Sequence, residues 1–226
     1  MVIQVVTLFP QMMTGVVASS MLKRAERQAG VEIRLIPLRL FGVGVHRSTD
    51  DYPFGGGPGM ILRADVVVPA VEWAMMHHSQ PATVIWTSPQ GRRLDQAYCR
   101  QLAEVPHVII VAGHYEGIDE RAREILGGSE VSIGDYVLTG GELPALVLID
   151  ALTRLQPGVL GAQEGALDDS FDADEGWLEG PQYTRPEVFR DLAVPEVLLS
   201  GNHRRIREWR KGEREARTRI RRPDLI

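Results

Sequence analysis

Apolar and polar positions follow two periods along the first two-thirds of the chain. Short β-branched runs at Val2–Leu8, Val31–Leu38, Ala82–Thr87 and His107–Ala112 have the length and composition of strands. Between them, Met12–Gln28, Ala64–His78 and Leu94–Glu104 repeat apolar side chains every three or four residues, the spacing of one helix face. Strands separated by helices of ten or more residues predict βαβ units, hence an α/β domain with a mainly parallel sheet. The uninterrupted run Val108–Ala112 suits a central strand covered on both faces. Leu143–Leu155 is apolar almost all round as a helix, so burial is expected, and Pro144 in its first turn is compatible with helix initiation.

Two stretches break this pattern. Residues 42–59 end in Tyr52-Pro-Phe-Gly-Gly-Gly-Pro-Gly59, too glycine-rich for either regular element, and read as a lid, a linker or a binding loop. Residues 157–176 place Gly158, Gly161, Gly165 and Gly176 among clustered acids, a composition shift that marks a domain boundary. The expected organisation is a first domain over 1–159, a linker over 160–176 and a small helical domain over 177–226. In the last helix Ile206, Trp209, Ala216 and Ile220 are expected on one face, with arginines around the remainder.

With 44% hydrophobic and 24% charged residues, the chain of 226 has the balance of a folded globular protein. A single cysteine, Cys99, excludes an internal disulfide and every multi-cysteine zinc site. The apolar stretch at 143–149 falls far short of the roughly 18–20 residues of a membrane span, and Met1-Val-Ile-Gln-Val-Val lacks a basic leader; a cytoplasmic chain is expected. The net charge of −5 hides an asymmetry: residues 200–226 hold ten Lys/Arg against four acids, while 163–182 hold seven acids and no Lys or Arg. An acidic body with a basic tail suits a local clamp on one nucleic acid rather than a general polyanion binder.

The common nucleotide and hydrolase signatures are absent: no G-x-G-x-x-G after a strand, no G-x4-G-K-[ST], no H-E-x-x-H and no G-x-S-x-G. His77 and His78 are adjacent, so on a helix their rings diverge by about 100° and make a poor metal site. Three turns remain, each after an expected strand: Thr87-Ser-Pro-Gln-Gly-Arg92, Gly113-His-Tyr-Glu-Gly-Ile-Asp-Glu-Arg121 and Ile133-Gly-Asp-Tyr-Val-Leu-Thr-Gly-Gly-Glu-Leu-Pro144. Ligands of open α/β sheets gather at the carboxyl ends of strands, and glycines there admit a close backbone approach.

Taken in order, Gly-Gly-Gly-Pro-Gly-Met at 55–60, Ser-Pro-Gln-Gly-Arg at 88–92, Tyr-Glu-Gly-Ile-Asp-Glu-Arg at 115–121, Ser-Ile-Gly-Asp-Tyr-Val-Leu at 132–138 and Gly-Gly-Glu-Leu-Pro at 140–144 form one set. With Asp-Ser-Phe at 169–171, Tyr-Thr-Arg-Pro-Glu at 183–187 and Leu-Leu-Ser-Gly-Asn-His at 198–203, the chain closely resembles the bacterial tRNA (guanine-N1)-methyltransferases, the TrmD family of the SPOUT superfamily. The resemblance runs from Phe9-Pro10 to Arg222-Pro223. His114 stands where many relatives carry Arg.

That resemblance implies methyl transfer from S-adenosyl-L-methionine to N1 of guanosine 37 of tRNA. The implied fold is a parallel α/β domain with a deep trefoil knot, which would break the general rule of unknotted chains. Its implied cofactor contacts are Thr87, Ser88, Pro89, Gly113, Tyr115, Glu116, Ile133, Gly134, Asp135, Tyr136, Val137, Leu138, Gly140, Gly141 and Pro144. Asp169 matches the general base, chosen over Asp168 because it directly precedes Ser170-Phe171. An aspartate is a weak base for the guanine N1 proton, so placement must make up for driving force. Arg154 would stabilise charge at O6, although Asp150, four residues earlier on the same helix, offers it a plain structural pairing. The family further implies a homodimer with a shared active site, the apolar helix at its interface, and dependence on Mg2+, with Glu116 the candidate. Arg204, Arg205, Arg207, Arg210 and Lys211 in the tail, with His46 and Arg47, would contact the tRNA anticodon branch. The competing readings are a SPOUT enzyme for another RNA position, a non-catalytic RNA-binding protein and, with least support, a small-molecule α/β enzyme.

Overall fold

In the computed structural model, residues 1–160, 169–171 and 176–226 are described; Asp168 and most of the acidic linker lie outside them. The chain divides into two compact units, Met1–Leu160 and Gly161–Ile226.

The first unit is built on a five-stranded sheet in the order β2-β1-β6-β5-β7, with every neighbouring pair parallel. Its strands are β1 (Val2–Thr7), β2 (Glu32–Pro37), β5 (Thr83–Arg93), β6 (His107–Ala112) and β7 (Ser129–Ser132). A separate ladder pairs β3 (Asp50–Asp51) with β4 (Ile61–Leu62), so the ends of the glycine-rich loop are tied together rather than left as a plain linker. All six residues of β6 are buried. Val108, Ile110 and Ala112 face one core with Ile3, Val5 and Ile85, while Ile109 and Val111 face the other with Val6, Val84 and Trp86. Two apolar faces make β6 the centre, and each large side chain so buried contributes about 1.5–3 kcal/mol.

Helices cover both faces. The core of Ile3 and Val108 is closed by α1 (Gln11–Val17), α2 (Ser20–Gln28), α4 (Gln96–Ala103) and α6 (Glu142–Arg154); the other is closed by α3 (Ala64–Met76) and α5 (Glu120–Leu126). The single helix expected over Met12–Gln28 is two. The Ser19 hydroxyl donates to the Gly15 carbonyl and Ser20 takes a positive φ of 48°, so local serine bonding interrupts the helix where periodicity alone continues it. Helix α6 buries Ala145, Leu146, Leu148, Ile149 and Leu152 but leaves Leu143 and Val147 about half exposed, so its all-round apolarity is not used up within one chain.

His107 lies fully buried at the start of β6. Its Nδ1 faces the Gln80 carbonyl at 3.1 Å and its Nε2 the Gln4 side-chain amide at 2.8 Å. Burial holds its pKa below the usual histidine value, and nearby His78 and Arg34 disfavour the cation further. The unfolded chain therefore binds the extra proton more readily. This part of the stability is complete above about pH 6.5 and is lost as pH falls through that value toward the lower folded pKa. Thermal melts between pH 7.5 and 5 should show a clear fall in midpoint for the native chain and a shallower one for His107→Gln. Equal slopes would remove His107 from the acid response.

The second unit, expected to be helical from 177, is not. Among the described residues 176–187 hold no regular element. A two-residue ladder pairs Val188–Phe189 with Leu192–Ala193, and helices follow at Glu196–Leu199 and His203–Arg221, with a short 3-10 helix at Pro223–Leu225. Pro181, Pro186 and Pro195 lack the N–H that a helix requires, which explains the late start. Asn202 caps the long helix by accepting from the Arg205 N–H. The helix face also differs from the expected one: Ile206 and Trp209 are half-buried, but Ala216 and Ile220 are exposed. Thr218 is the buried residue instead, its hydroxyl accepting from Leu178 N–H and donating to the Arg214 carbonyl. A polar seam thus takes the place of an apolar stripe.

Candidate functional site

The carboxyl ends of β5, β6 and β7 open into one cleft of about 370 Å³. Each wall has a local cause. The segment 87–92, expected as a turn, belongs to strand β5 and forms a bulge: both Thr87 and Arg92 align with Val131 of β7, and the residues between them bow outward. Pro89 has no N–H to give to a ladder, and the Ser88 hydroxyl accepts from Gln90 N–H, which stabilises the excursion. The Thr87 hydroxyl donates to the Val111 carbonyl and so ties the bulge to β6.

The second wall, 113–119, is locked onto the end of the glycine-rich loop. Glu116 N–H donates to the Met60 carbonyl, Leu62 N–H to Gly117, and Asp119 N–H to Leu62. A Cβ on Gly59 would overlap the Glu116 side chain, so the glycine is required by this close approach. Tyr115 sits at φ 58°, a left-handed conformation that a tyrosine adopts only at a cost of about 1–2 kcal/mol, a strained residue at the cleft wall. Asp119 caps α5 through Arg121 N–H, and hydrogen bonding to the Arg121 side chain holds its carboxyl below the usual range.

The third wall is 132–141. The Ser132 hydroxyl bonds within the turn to Gly134, and Gly141 N–H donates to the Gly113 carbonyl at 2.6 Å, joining the start of α6 to the end of β6. Behind this wall, Glu142 is 1% exposed; its Oε1 accepts from the Thr7 hydroxyl at 2.9 Å, and its Oε2 lies 3.6 Å from His114 Nδ1.

Of the expected cofactor residues, Thr87, Ser88, Pro89, Gly113, Tyr115, Glu116, Ile133, Gly134, Tyr136, Val137, Leu138, Gly140, Gly141 and Pro144 line this cleft. Asp135 does not; it is exposed at the centre of a tight turn closed by Tyr136 N–H to the Gly134 carbonyl. Glu120 and Arg123 of α5 also line the cleft, and sequence reasoning misses them because charged residues on a short helix read as a solvated face. Arg123 is instead largely covered, pairing with Glu120 and Glu130 above the Trp86 ring. Gln90, His114, Gly117, Ile118, Val131, Ser132 and Thr139 also line it; all but Val131 and Ser132 lie within the three segments singled out in the sequence.

The other expected residues lie elsewhere. Arg154 is half-buried near the end of α6. Asp169 is half-buried in the second unit, where Glu179 N–H donates to the Ser170 hydroxyl and Phe171 N–H to the Trp177 carbonyl. Arg204, Arg205, Arg207, Arg210 and Lys211 are exposed on the long helix, with Arg204 paired to Glu208; His46 and Arg47 are exposed in the first unit. Among the described residues no group of three or more His, Cys, Asp or Glu side chains could hold a metal ion.

The whole chain, residues 1–226, matches the family model described as tRNA (Guanine-1)-methyltransferase TrmD. A tRNA (guanine-N(1)-)-methyltransferase of Moorella thermoacetica is 54% identical over 226 residues, spanning 99% of this chain and 89% of the relative. Proteins of the same description from Geobacillus kaustophilus and Anoxybacillus flavithermus are each 50% identical, spanning 99% and 100% of this chain and 91% of the relative in both cases.

Proposed function

Because the chain belongs to the tRNA (guanine-1)-methyltransferase family, we propose that the cleft over β5, β6 and β7 binds S-adenosyl-L-methionine and that the methyl group is delivered to N1 of guanosine 37 in tRNA. The activity itself, methyl transfer to N1 of a guanine in tRNA, follows from that membership. The observation that carries the donor site is the convergence of the β5 bulge and two glycine-bearing turns, after β6 and β7, on one cleft of a parallel sheet.

The residues fit such a donor. A cleft of about 370 Å³ is in the range of small-molecule sites. Gly113, Gly134, Gly140 and Gly141 bring main-chain N–H and C=O groups to its wall, suited to an adenine edge and ribose hydroxyls, while Pro89, Ile133, Leu138 and Pro144 supply apolar cover. Glu116, Glu120 and Arg123 complement the ammonium and carboxylate of an amino-acid end. Among the described residues Glu116 belongs to no group of three or more His, Cys, Asp or Glu side chains, so any Mg2+ held there would take its other ligands from water or bound substrate.

When bound, the donor supplies a methyl group on a sulfonium, already primed to leave. The protein's task is then orientation and proton removal. Guanine N1 carries a proton at neutral pH; in our reading the Asp169 carboxylate accepts it as the N1–carbon bond forms, and Arg154 stabilises the negative charge that develops toward O6. Asp169 would come from the partner subunit of a homodimer. The half-exposed apolar side chains of Met12 and Val16 on α1 and Leu143 and Val147 on α6 support such an interface. The crossing of 133–141 from edge strand β7 to the end of β6, followed by packing of α6 on the α1, α2 and α4 side, supports a knotted path. No helix among the described residues is long and apolar enough to cross a membrane.

The test is transfer of labelled methyl from S-adenosyl-L-methionine to a tRNA transcript with guanosines at 36 and 37, beside one with adenosine at 37. Label confined to N1 of guanosine 37 is expected. Label at another nucleotide would discard the position, and no label despite cofactor binding would leave an RNA-binding role. For the tail, reversing Arg205, Arg207 and Arg210 to Glu should weaken tRNA binding at least tenfold. The salt dependence should become shallower by about one unit of slope for each phosphate that the tail no longer neutralises, with cofactor affinity unchanged. Equal loss of cofactor binding would make the tail structural.

A further inference from the structure

Behind the cleft wall, two buried polar atoms are left without a partner: Oε2 of Glu142 and Nδ1 of His114, 3.6 Å apart. Gly140 packs over the pair so tightly that a Cβ there would collide with both atoms. Unpaired buried groups of this kind are costly, and among the described residues each of these two atoms faces the other.

The protons in this cluster are directional. Phe9 N–H donates to the Thr7 hydroxyl, which leaves that hydroxyl to donate its own proton to Glu142 Oε1. A carboxylate can only accept, so a hydrogen bond from this ring to Oε2 requires the tautomer that carries a proton on Nδ1. The ring is also held by contact, with its centroid 4.7 Å from that of Phe9 and 4.9 Å from that of Tyr115. Both His114 and Tyr115 line the cleft.

We propose that Glu142 is a positioning residue of the cofactor cleft: by accepting from His114 Nδ1–H it fixes the tautomer and tilt of that ring and, through the ring, the strained Tyr115 wall. The inference rests on the reading of the cleft as the S-adenosyl-L-methionine site. The 3.6 Å separation is longer than a hydrogen bond, so the bond assigned here belongs to the liganded cleft; hydrogen bonds of unliganded sites are often long and tighten on binding.

Glu142→Gln is the sharpest probe because it keeps size and the bond from Thr7. With Oε1 still committed to the Thr7 hydroxyl, the new NH2 faces His114 Nδ1 and demands the opposite tautomer. Calorimetry with S-adenosyl-L-methionine should show affinity weakened about tenfold, with kcat at saturating cofactor within threefold of the native value. Nitrogen chemical shifts of the His114 ring should report a proton on Nδ1 in the native protein and on Nε2 in the variant. His114→Asn, which retains a donor near the Nδ1 position, should keep most of the affinity, and His114→Leu should lose as much as Glu142→Gln. The double variant Glu142→Gln/His114→Leu should be no worse than either single one, because both break the same link. An unchanged affinity, an unchanged tautomer or multiplied losses in the double variant would overturn the proposal. A native protein that binds no S-adenosyl-L-methionine would instead overturn the reading of the cleft.

Discussion

Asp169→Asn should lower the rate of methyl transfer at saturating substrates by about a thousandfold or more while S-adenosyl-L-methionine binds as before. Guanine N1 has no free lone pair at neutral pH until its proton leaves, and a positioned general base contributes about 10²–10⁴-fold to such a step. Asparagine matches aspartate in shape and cannot take the proton. The turn that carries it is also held by Glu179 N–H on the Ser170 hydroxyl and by Phe171 N–H on the Trp177 carbonyl, two bonds that the substitution does not touch. Single-turnover transfer to a guanosine-37 transcript measures the chemical step directly. Asp168→Asn is the natural control, and a native rate in Asp169→Asn with a collapsed rate in Asp168→Asn would move the base by one residue. Native rates in both would remove the acidic linker from the chemistry.

The parts of the fold that show in the sequence are those set by burial. Strand β6 is visible because all six of its residues are enclosed, and α6 because its apolar residues leave no polar face. What escapes notice depends on hydrogen bonds or on missing donors. The break between α1 and α2 comes from a serine hydroxyl, and the bulge at 87–92 from a proline and a serine inside a continuing strand. The late helical start of the second unit comes from three prolines dispersed through a segment of otherwise helix-compatible composition. The cleft divides the same way. Its glycine-bearing turns stand out along the chain, and nearly all the residues named from them do line it. Arg123 and Glu120 are unreadable because nothing in helical periodicity says that a charged face is turned toward a pocket. The approach of Glu142 to His114 joins positions 28 residues apart and exists only once β6 and α6 meet.

That meeting point is also where one methyl group should do the most damage. Gly141→Ala is expected to abolish measurable cofactor binding and to lower thermal stability. The backbone at Gly141 is ordinary for any residue, with φ −85° and ψ −4°, so strain in the main chain is not the reason. Space is. An added Cβ would overlap the Thr87 hydroxyl and lie 2.7 Å from Gly113 N and 2.9 Å from Ala112 Cα. The last two are backbone atoms of β6 and the turn that follows it, which cannot swing aside as a side chain could. The start of α6 would have to lift off the strand, breaking the 2.6 Å bond from Gly141 N–H to the Gly113 carbonyl and opening two walls of the cleft at once. Overpacking of this kind typically costs about 1–3 kcal/mol of stability, while the geometry of the site suffers more than the fold. Gly113→Ala is the matched control, since a Cβ there would come no closer than 3.7 Å to the protein, so a native melting temperature is expected. Adding Thr87→Ala to Gly141→Ala should not restore binding, because it relieves the side-chain clash and leaves both backbone contacts. Recovery in that double variant would show that the clash with Thr87 alone had closed the site.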